Sequence, residues 1–176
     1  MNCTILALDA SSTMIGYCVY DGTVLDHGEI KLTGTDIADR CRQAHAALNL
    51  ILATAPDVDA VAIEAPAASH KKGLIPQCRV SGALMAAAAL KGLLVVEVTP
   101  AVAKQALAKK GDATKAEMLR AAALYFGYQA DALEYLCHRG EWGAWGAVRQ
   151  FSEHEADALG VALAATKLVT VERQAA

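Results

Sequence analysis

The sequence predicts an α/β fold built on a mixed five-stranded sheet whose first three strands are antiparallel and whose faces are covered by helices. Three short apolar segments come first and are separated only by turn residues, as in an antiparallel meander. Strand-like and helix-like segments then alternate, which is typical of a sheet flanked by helices. No repeat, charge block or low-complexity linker divides the 176 residues, so we expect a single domain over residues 1–176.

The predicted strands are short apolar runs bounded by polar or turn residues. They cover residues 4–9, residues 15–20, a third run that ends near residue 30, residues 58–64 and residues 93–98. Asp21-Gly22 indicates a two-residue hairpin between the second strand and the third. The fourth strand is apolar at nearly every position, which indicates burial on both faces of the sheet.

The predicted helices follow from capping residues and from apolar residues at helical spacing. They run from Asp36 to about Thr54, from about Pro76 to Leu90, from Pro100 to about Lys109 before a break at Gly111, from either Asp112 or Thr114 to about Phe126, and from Ser152 to about Val169. Thr114 and Glu117 match a capping box, as do Ser152 and Glu155. Residues 128–151 match neither pattern, and we expect an irregular insertion there.

Composition argues against several classes of protein. The longest apolar stretch, residues 83–90, is too short to span a membrane, and the N-terminus lacks the pattern of a signal peptide. The five cysteines are odd in number and form no Cys-x-x-Cys pair, which favours free thiols in a reducing cytoplasm. Because the net charge is −3, any contact with DNA has to come from a local basic patch.

Three acidic residues stand where a buried carboxylate is costly unless a cation neutralises it. Asp9 ends the first strand, Glu64 ends the fourth, and Asp157 lies near the start of the last helix. His154 is three residues before Asp157 and therefore shares its helix face. We expect these side chains to bind divalent metal, with Asp9 bridging two ions about 4 Å apart, as in enzymes that cleave phosphodiesters.

Other charged residues lie near these positions. The acidic ones are explained by structural roles, and the basic ones suit contacts with DNA phosphates. Glu155 is accounted for by its capping box, and Glu153 is expected to be a solvent-exposed acid at the helix start. The bases lie after the second acidic strand and around the Gly111 break, where they fit phosphate positioning. They are Lys71, Lys72, Arg79, Lys104, Lys109, Lys110 and Lys115. Of these, Lys109 and Lys110 are equally well explained as solvated surface lysines.

Taken in order along the chain, five motifs resemble those of RuvC-type Holliday junction resolvases, which have the RNase H-like fold. Residues 9–17 (Asp-Ala-Ser-Ser-Thr-Met-Ile-Gly-Tyr) resemble the first-strand motif of that family, and residues 62–64 (Ala-Ile-Glu) resemble its second catalytic strand. Residues 98–105 and residues 111–115 resemble its two lysine-bearing segments. Residues 155–162 (Glu-Ala-Asp-Ala-Leu-Gly-Val-Ala) resemble its last-helix signature. The resemblance spans most of the chain.

The resemblance implies a crossover junction endodeoxyribonuclease that acts in DNA recombination and repair, with Mg²⁺ as cofactor and Mn²⁺ as its substitute. The implied catalytic and metal-binding residues are Asp9, Glu64, His154 and Asp157. The DNA-binding residues expected from the sequence are Lys71, Lys72, Arg79, Lys104 and Lys115. The resemblance places Lys104 and Lys115 near the scissile phosphate. It also implies a homodimer that nicks two strands of a four-way DNA junction symmetrically, in the cytoplasm at the nucleoid. We expect 5′-phosphate and 3′-hydroxyl ends.

Three departures from the family pattern bear on junction selectivity. His154 stands where many relatives carry aspartate, although histidine also occurs there. The bacterial resolvases have a wedge-like phenylalanine three residues after the glutamate, and Ala67 stands at that position here. Residues 128–151 look like an insertion before the last helix.

Other functions are less well supported by the sequence. A nuclease of broader specificity on the same fold, cutting flaps, other branched DNA or RNA–DNA hybrids, is the nearest alternative. An actin-like sugar kinase needs two such domains and a glycine two residues after the first aspartate, where Ser11 stands. A DNA-binding scaffold without activity does not need the intact acidic residues.

Overall fold

The structure is a computed structural model that describes residues 3–55, 57–66, 73–126 and 152–175. Its strands are β1 Ile5–Ala10, β2 Met14–Tyr20, β3 Val24–Lys31, β4 Ala60–Glu64 and β5 Leu94–Val98. Its helices are α1 Ile37–Thr54, α2 Leu74–Leu90, α3 Pro100–Ala108, α4 Lys115–Tyr125 and α5 Glu153–Ala175. The described residues contain no helix long and apolar enough to cross a membrane.

The five strands form one sheet in the order β3-β2-β1-β4-β5. Strand β2 pairs antiparallel with both β1 and β3, whereas β4 pairs parallel with both β1 and β5. The predicted mixed sheet with an antiparallel first half is therefore confirmed. Strands β1 and β4 are central neighbours that run in the same direction, so their carboxyl ends meet at one edge of the sheet.

Helices cover both faces of the sheet and give it two hydrophobic cores. Leu6 and Leu8 of β1 pack in one core with α1 and α2. Ile5 and Ala7 point to the opposite face and pack in the other core with α3, α4 and α5. Because side chains alternate along a strand, Asp9 falls on the face covered by α5. Strand β4 has the same alternation: Ala60 and Ala62 lie in the α5 core, and Glu64 follows them.

Local sequence signals account for where the helices begin. The Asp36 side chain accepts a hydrogen bond from the Asp39 N–H and caps α1. Thr114 and Glu117 form the reciprocal hydrogen bonds of a capping box at α4, as predicted. The second predicted box is also present, because the Glu155 carboxylate accepts from the Ser152 N–H and the Ser152 hydroxyl accepts from the Glu155 N–H at 3.2 Å.

Several predicted boundaries were wrong. The hairpin after β2 has three residues and not two, since Tyr20 pairs with Val24 beside an irregularity in the register. The predicted end of α3 at about Lys109 is confirmed, but the helix is broken by Lys109 itself, which adopts a left-handed φ of 61°, and not by Gly111. The last helix continues past Val169, because α5 ends at Ala175. The expected irregular insertion at residues 128–151 lies outside the described residues, and the single-domain organisation stays a prediction. The described cysteines Cys18, Cys41 and Cys78 are free thiols, as predicted.

Candidate active site

Asp9 lies next to the last residue of β1 and faces the start of α5. Its neighbours on β1 are fully buried, and Asp9 itself is only 6 % exposed. The side chain has a polar partner there: Nδ1 of His154 donates a hydrogen bond to Asp9 Oδ2 at 2.5 Å. This hydrogen bond raises the pKa of His154 above its usual value, although burial opposes the change. The first turn of α5 is thus joined to the carboxyl end of β1.

Glu64 ends β4 beside Asp9 and holds its proton at neutral pH. Burial and the charges of Asp9 and Asp157 raise the pKa of Glu64 to about 9, and the Lys104 charge offsets only part of this. The protonated Glu64 carboxyl is hydrogen-bonded to Asp9. The ionised form of a carboxyl group buried beside other carboxylates is unfavourable unless a cation neutralises it.

Asp157 completes the cluster from α5, one helical turn after His154. Burial and the Asp9 charge raise the pKa of Asp157 to about 6, while the charges of His154 and Lys104 pull it down. The three carboxyl groups from β1, β4 and α5 therefore lie close enough to oppose one another's ionisation. The structure brings together all four residues that the sequence predicted for the site.

Gly16 of β2 allows α5 to approach the sheet this closely. It pairs with Asp9 across the antiparallel β1–β2 ladder. A Cβ atom at Gly16 would lie 2.2 Å from the backbone oxygen of His154 and 2.7 Å from its Cβ. No other residue fits there without displacing α5. The sequence marked Gly16 only as part of a motif, and its role becomes visible once α5 is placed over β2.

A second contact, which the sequence did not predict, fastens the start of α5 to β3. His27 Nδ1 donates a hydrogen bond to Glu155 Oε1 at 2.8 Å, and Glu155 is only 5 % exposed. Burial raises the pKa of the Glu155 carboxyl, but hydrogen bonds from His27 and from the Ser152 N–H outweigh it and hold that pKa below its usual value. The imidazole of His27 also lies against the ring of Phe126, with ring centroids 5.0 Å apart. Glu155 therefore caps α5 and also binds it to the sheet.

Two of the predicted lysines lie beside the carboxylates. Lys104 of α3 is half-buried, and its charge lowers the pKa values of both Glu64 and Asp157. Lys115 begins α4 and is hydrogen-bonded to Glu153, with Nζ and Oε2 2.5 Å apart. Glu153 is exposed at the start of α5, as predicted, and its carboxylate also holds this lysine.

The remaining predicted DNA-binding residues are not brought to the cluster by the described part of the structure. Arg79 is exposed on α2, which packs against the opposite face of the sheet from α5. Lys71, Lys72 and the family-position residue Ala67 lie outside the described residues. Their roles stay predictions.

The sequence comparison decides the family. A family model for the crossover junction endodeoxyribonuclease RuvC matches residues 5–123, which include β1, β4 and both lysine-bearing segments. The chain belongs to the RuvC family. This confirms the predicted family and its enzyme class, a crossover junction endodeoxyribonuclease. No match was found among curated proteins.

Solved RuvC structures share the fold of this RuvC-family chain along nearly its whole length. RuvC of Thermus thermophilus is 23 % identical in sequence, with a TM-score of 0.68 and coverage of 96 % of each chain. A second structure, T. thermophilus RuvC in complex with Holliday junction substrate, is also 23 % identical, with a TM-score of 0.70 and coverage of 97 % of this chain and 96 % of that one. The predicted RNase H-like fold is confirmed by this likeness.

RuvC-family nucleases are metal-dependent, and the donor atoms at this site suit a hard divalent cation. Three carboxyl groups and one imidazole converge, and each carboxyl group that resists ionisation would ionise readily beside a cation. Among the described residues, no three acidic, histidine or cysteine side chains already stand in a metal-ligating arrangement. Asp9 is hydrogen-bonded to both His154 and Glu64 instead. The residues fit a metal ion once these two hydrogen bonds are exchanged for metal ligation.

Proposed function

We propose that this RuvC-family chain is a metal-dependent endodeoxyribonuclease that resolves four-way DNA junctions by paired symmetric nicks. The observation that carries the proposal is the cluster of Asp9, Glu64 and Asp157, delivered by two parallel strands and one helix and joined by His154. The T. thermophilus RuvC solved with a Holliday junction substrate has the same fold. This likeness supports the same class of substrate, and a DNA substrate supports action in the cytoplasm at the nucleoid.

The four clustered residues would hold two Mg²⁺ ions, or Mn²⁺ in their place. Asp9 is the central ligand in this proposal, because it is the residue that touches both His154 and Glu64. Bound ions supply the charge that activates water and stabilises the leaving 3′ oxygen in an in-line displacement. The expected products carry 5′-phosphate and 3′-hydroxyl ends. Glu64, which is protonated in the metal-free chain, gives up its proton when it becomes a ligand.

The lysines would position the DNA backbone around this cluster. Lys104 is half-buried beside Glu64 and Asp157, so its ammonium group is placed to meet a phosphate held at the metal site. Lys115 is exposed at the rim and contacts a neighbouring phosphate. Lys71, Lys72 and Arg79 are further proposed DNA contacts, and that of Arg79 would lie away from the cluster because α2 packs on the opposite face of the sheet from α5.

Two copies of the chain would act together on one junction. A four-way junction has two-fold symmetry, and a symmetric dimer presents one active site to each of two strands. Apart from the exposed Arg79, the outer side of helix α2 is apolar, with Ile75 66 % exposed and Leu90 89 % exposed. Such a face on a surface helix supports α2 as the contact between the two copies.

Replacing a clustered carboxylate separates cleavage from binding and tests this proposal. Asp9→Asn and Asp157→Asn should each abolish cleavage of a labelled four-way junction in Mg²⁺ while leaving junction affinity within about threefold of wild type. Asp57→Asn is the matched control, because Asp57 is an exposed acid before the amino end of β4. Loss of folding or of junction binding in the two site variants would mean that these carboxylates are structural.

A further inference from the structure

Lys115 does not stand free in the DNA-free protein. Its Nζ lies 2.5 Å from Oε2 of Glu153, which is the first residue of α5 and directly precedes His154. The carboxylate of Glu153 also lies at the amino end of α5, where the helix dipole favours negative charge. The Lys115 ammonium group therefore has a carboxylate at the position where a bound anion would sit.

The Lys115–Glu153 pair belongs to the rim of the carboxylate cluster. The pKa of Lys115 is raised mainly by its hydrogen bond to Glu153, with smaller contributions from the charges of Asp157 and Asp9. The lysine thus faces the site from α4, and Glu153 faces it from α5. A DNA phosphate that reaches the cluster meets both side chains.

Both partners of this ion pair are open to solvent. The Lys115 side chain is 78 % exposed and the Glu153 side chain is 48 % exposed. An exposed ion pair is weak, because water screens it and the side chains lose conformational freedom in forming it. A phosphate oxygen is an acceptor of the same charge and similar geometry, so it can take the place of the carboxylate.

We propose that Glu153 is the counterion of Lys115 in the free enzyme and that bound DNA displaces it. This exchange sets the affinity of the enzyme for DNA. In the free enzyme the Glu153 carboxylate holds the lysine at the rim, and on binding a DNA phosphate takes the ammonium group while the carboxylate returns to water. The inference rests on the proposed role of Lys115 as a phosphate contact. It makes Glu153 a residue that determines DNA affinity and is not itself one of the proposed metal ligands.

Removing the charge of Glu153 should strengthen DNA binding through Lys115. The free energy of an exposed ion pair corresponds to a factor of roughly two to five in an equilibrium constant, so Glu153→Gln should tighten junction binding by about that factor. The same variant should lower the KM for the junction. The gain should shrink as salt is raised, since screening weakens the contact between Lys115 and the DNA.

A double-mutant cycle tests whether the effect passes through Lys115. The dissociation constant of an immobile four-way junction is measured with Ca²⁺ in place of Mg²⁺ for wild type, Glu153→Gln, Lys115→Gln and the double variant. We expect the tightening by Glu153→Gln in the wild-type background to be lost in the Lys115→Gln background. Asp57→Asn also removes one negative charge, but it lies before the amino end of β4, at the opposite end of that strand from the site. It should therefore leave the dissociation constant unchanged.

The outcomes of the cycle are distinct. An equal gain in both backgrounds would show that Glu153 acts only by long-range repulsion of DNA, and the proposal fails. Unchanged or weaker binding by Glu153→Gln, with an unchanged melting temperature, would also overturn it. If Lys115→Gln alone leaves binding unchanged, then the proposed phosphate contact of Lys115 is what fails.

Discussion

The backbone of His154 lies directly against Gly16, and there is no space between them for a side chain. A Cβ at residue 16 would come within 2.2 Å of the His154 carbonyl oxygen. Since Gly16 is paired with Asp9 in the sheet, this contact fixes how far His154 and Asp157 stand from the carboxylates of β1 and β4. The geometry of the candidate site thus depends on a glycine that takes no part in its chemistry.

Gly16→Ala should inactivate the enzyme by moving α5 away from the sheet. Forcing a methyl group into this contact costs about 1–3 kcal/mol of unfolding free energy. A displacement of about 1 Å at the ligands should lower kcat by about a hundredfold or more. Junction cleavage and urea unfolding measure the two effects. Unchanged cleavage by Gly16→Ala would contradict this account.

His27→Ala should loosen the start of α5 and leave a buried charge without its partner. The hydrogen bond from His27 to the buried Glu155 carboxylate contributes about 1–3 kcal/mol to stability. Urea unfolding should show that loss, and cleavage should fall because His154 and Asp157 flank Glu155. His45→Ala removes an exposed histidine from α1 and should change neither quantity. Equal stability of the two variants would show that the His27–Glu155 contact does not hold α5.

The metal-free protein should lose stability as pH rises from about 5 to 9. The folded-state pKa values of Asp157, about 6, and of Glu64, about 9, both lie above the ordinary values of 3.8 and 4.5. The folded state therefore binds these protons more tightly than the unfolded state. The stability they confer is complete below the ordinary values and is lost as pH rises through the raised ones.

Urea unfolding in EDTA at pH 5, 7 and 9 measures this dependence. Glu64→Gln should flatten the decline above pH 6, because it removes the group with the highest of these pKa values. Added Mn²⁺ should reverse the decline, since a bound cation favours the ionised carboxylates. The proposed crowding of carboxylates would be contradicted if the unfolding free energy of the wild type in EDTA rose over this pH range. It would also be contradicted if Glu64→Gln left the decline of that free energy unchanged.

Ile75→Glu should convert a dimer into monomers if α2 joins the two copies. A buried, unpaired carboxylate in an apolar contact is strongly unfavourable. Light scattering coupled to size-exclusion chromatography gives the mass of each species. Leu25→Glu is the control, because Leu25 is 43 % exposed on the edge strand β3 and lies away from α2. A mass unaffected by Ile75→Glu, with wild type dimeric, would place the interface elsewhere.

The sheet and the acidic residues were predictable because both are encoded locally. Apolar runs and capping residues mark the strands and helices, and Asp9 and Glu64 stand out because each carboxylate ends a buried strand. The contacts of α5 were not predictable in this way. Glu155 has a sufficient local explanation in its capping box, and only the packing of α5 on β3 reveals its bond to His27. The partner of Glu153 depends on where α4 and α5 meet, which no spacing in the sequence gives.

The hairpin after β2 shows a different limit. Asp21-Gly22 is a strong signal for a two-residue turn, yet the strand pairing leaves three residues in the loop. The register shift beside Tyr20 adds that residue, and Gly22 takes the positive φ of 116° that the turn requires. Such shifts depend on how the two strands pair along their whole length, which the turn residues alone do not fix.

Cleavage of a labelled four-way junction by the wild-type protein tests the central claim most directly. The assay is run in Mg²⁺ and in Mn²⁺, with flap, linear duplex and RNA–DNA hybrid substrates of matched sequence beside it. The account predicts paired symmetric nicks confined to the junction, with ends that ligase can seal. Equal cutting of flaps or hybrids would assign the same metal site to a nuclease of broader specificity, and no cleavage of any substrate in either metal would contradict the account.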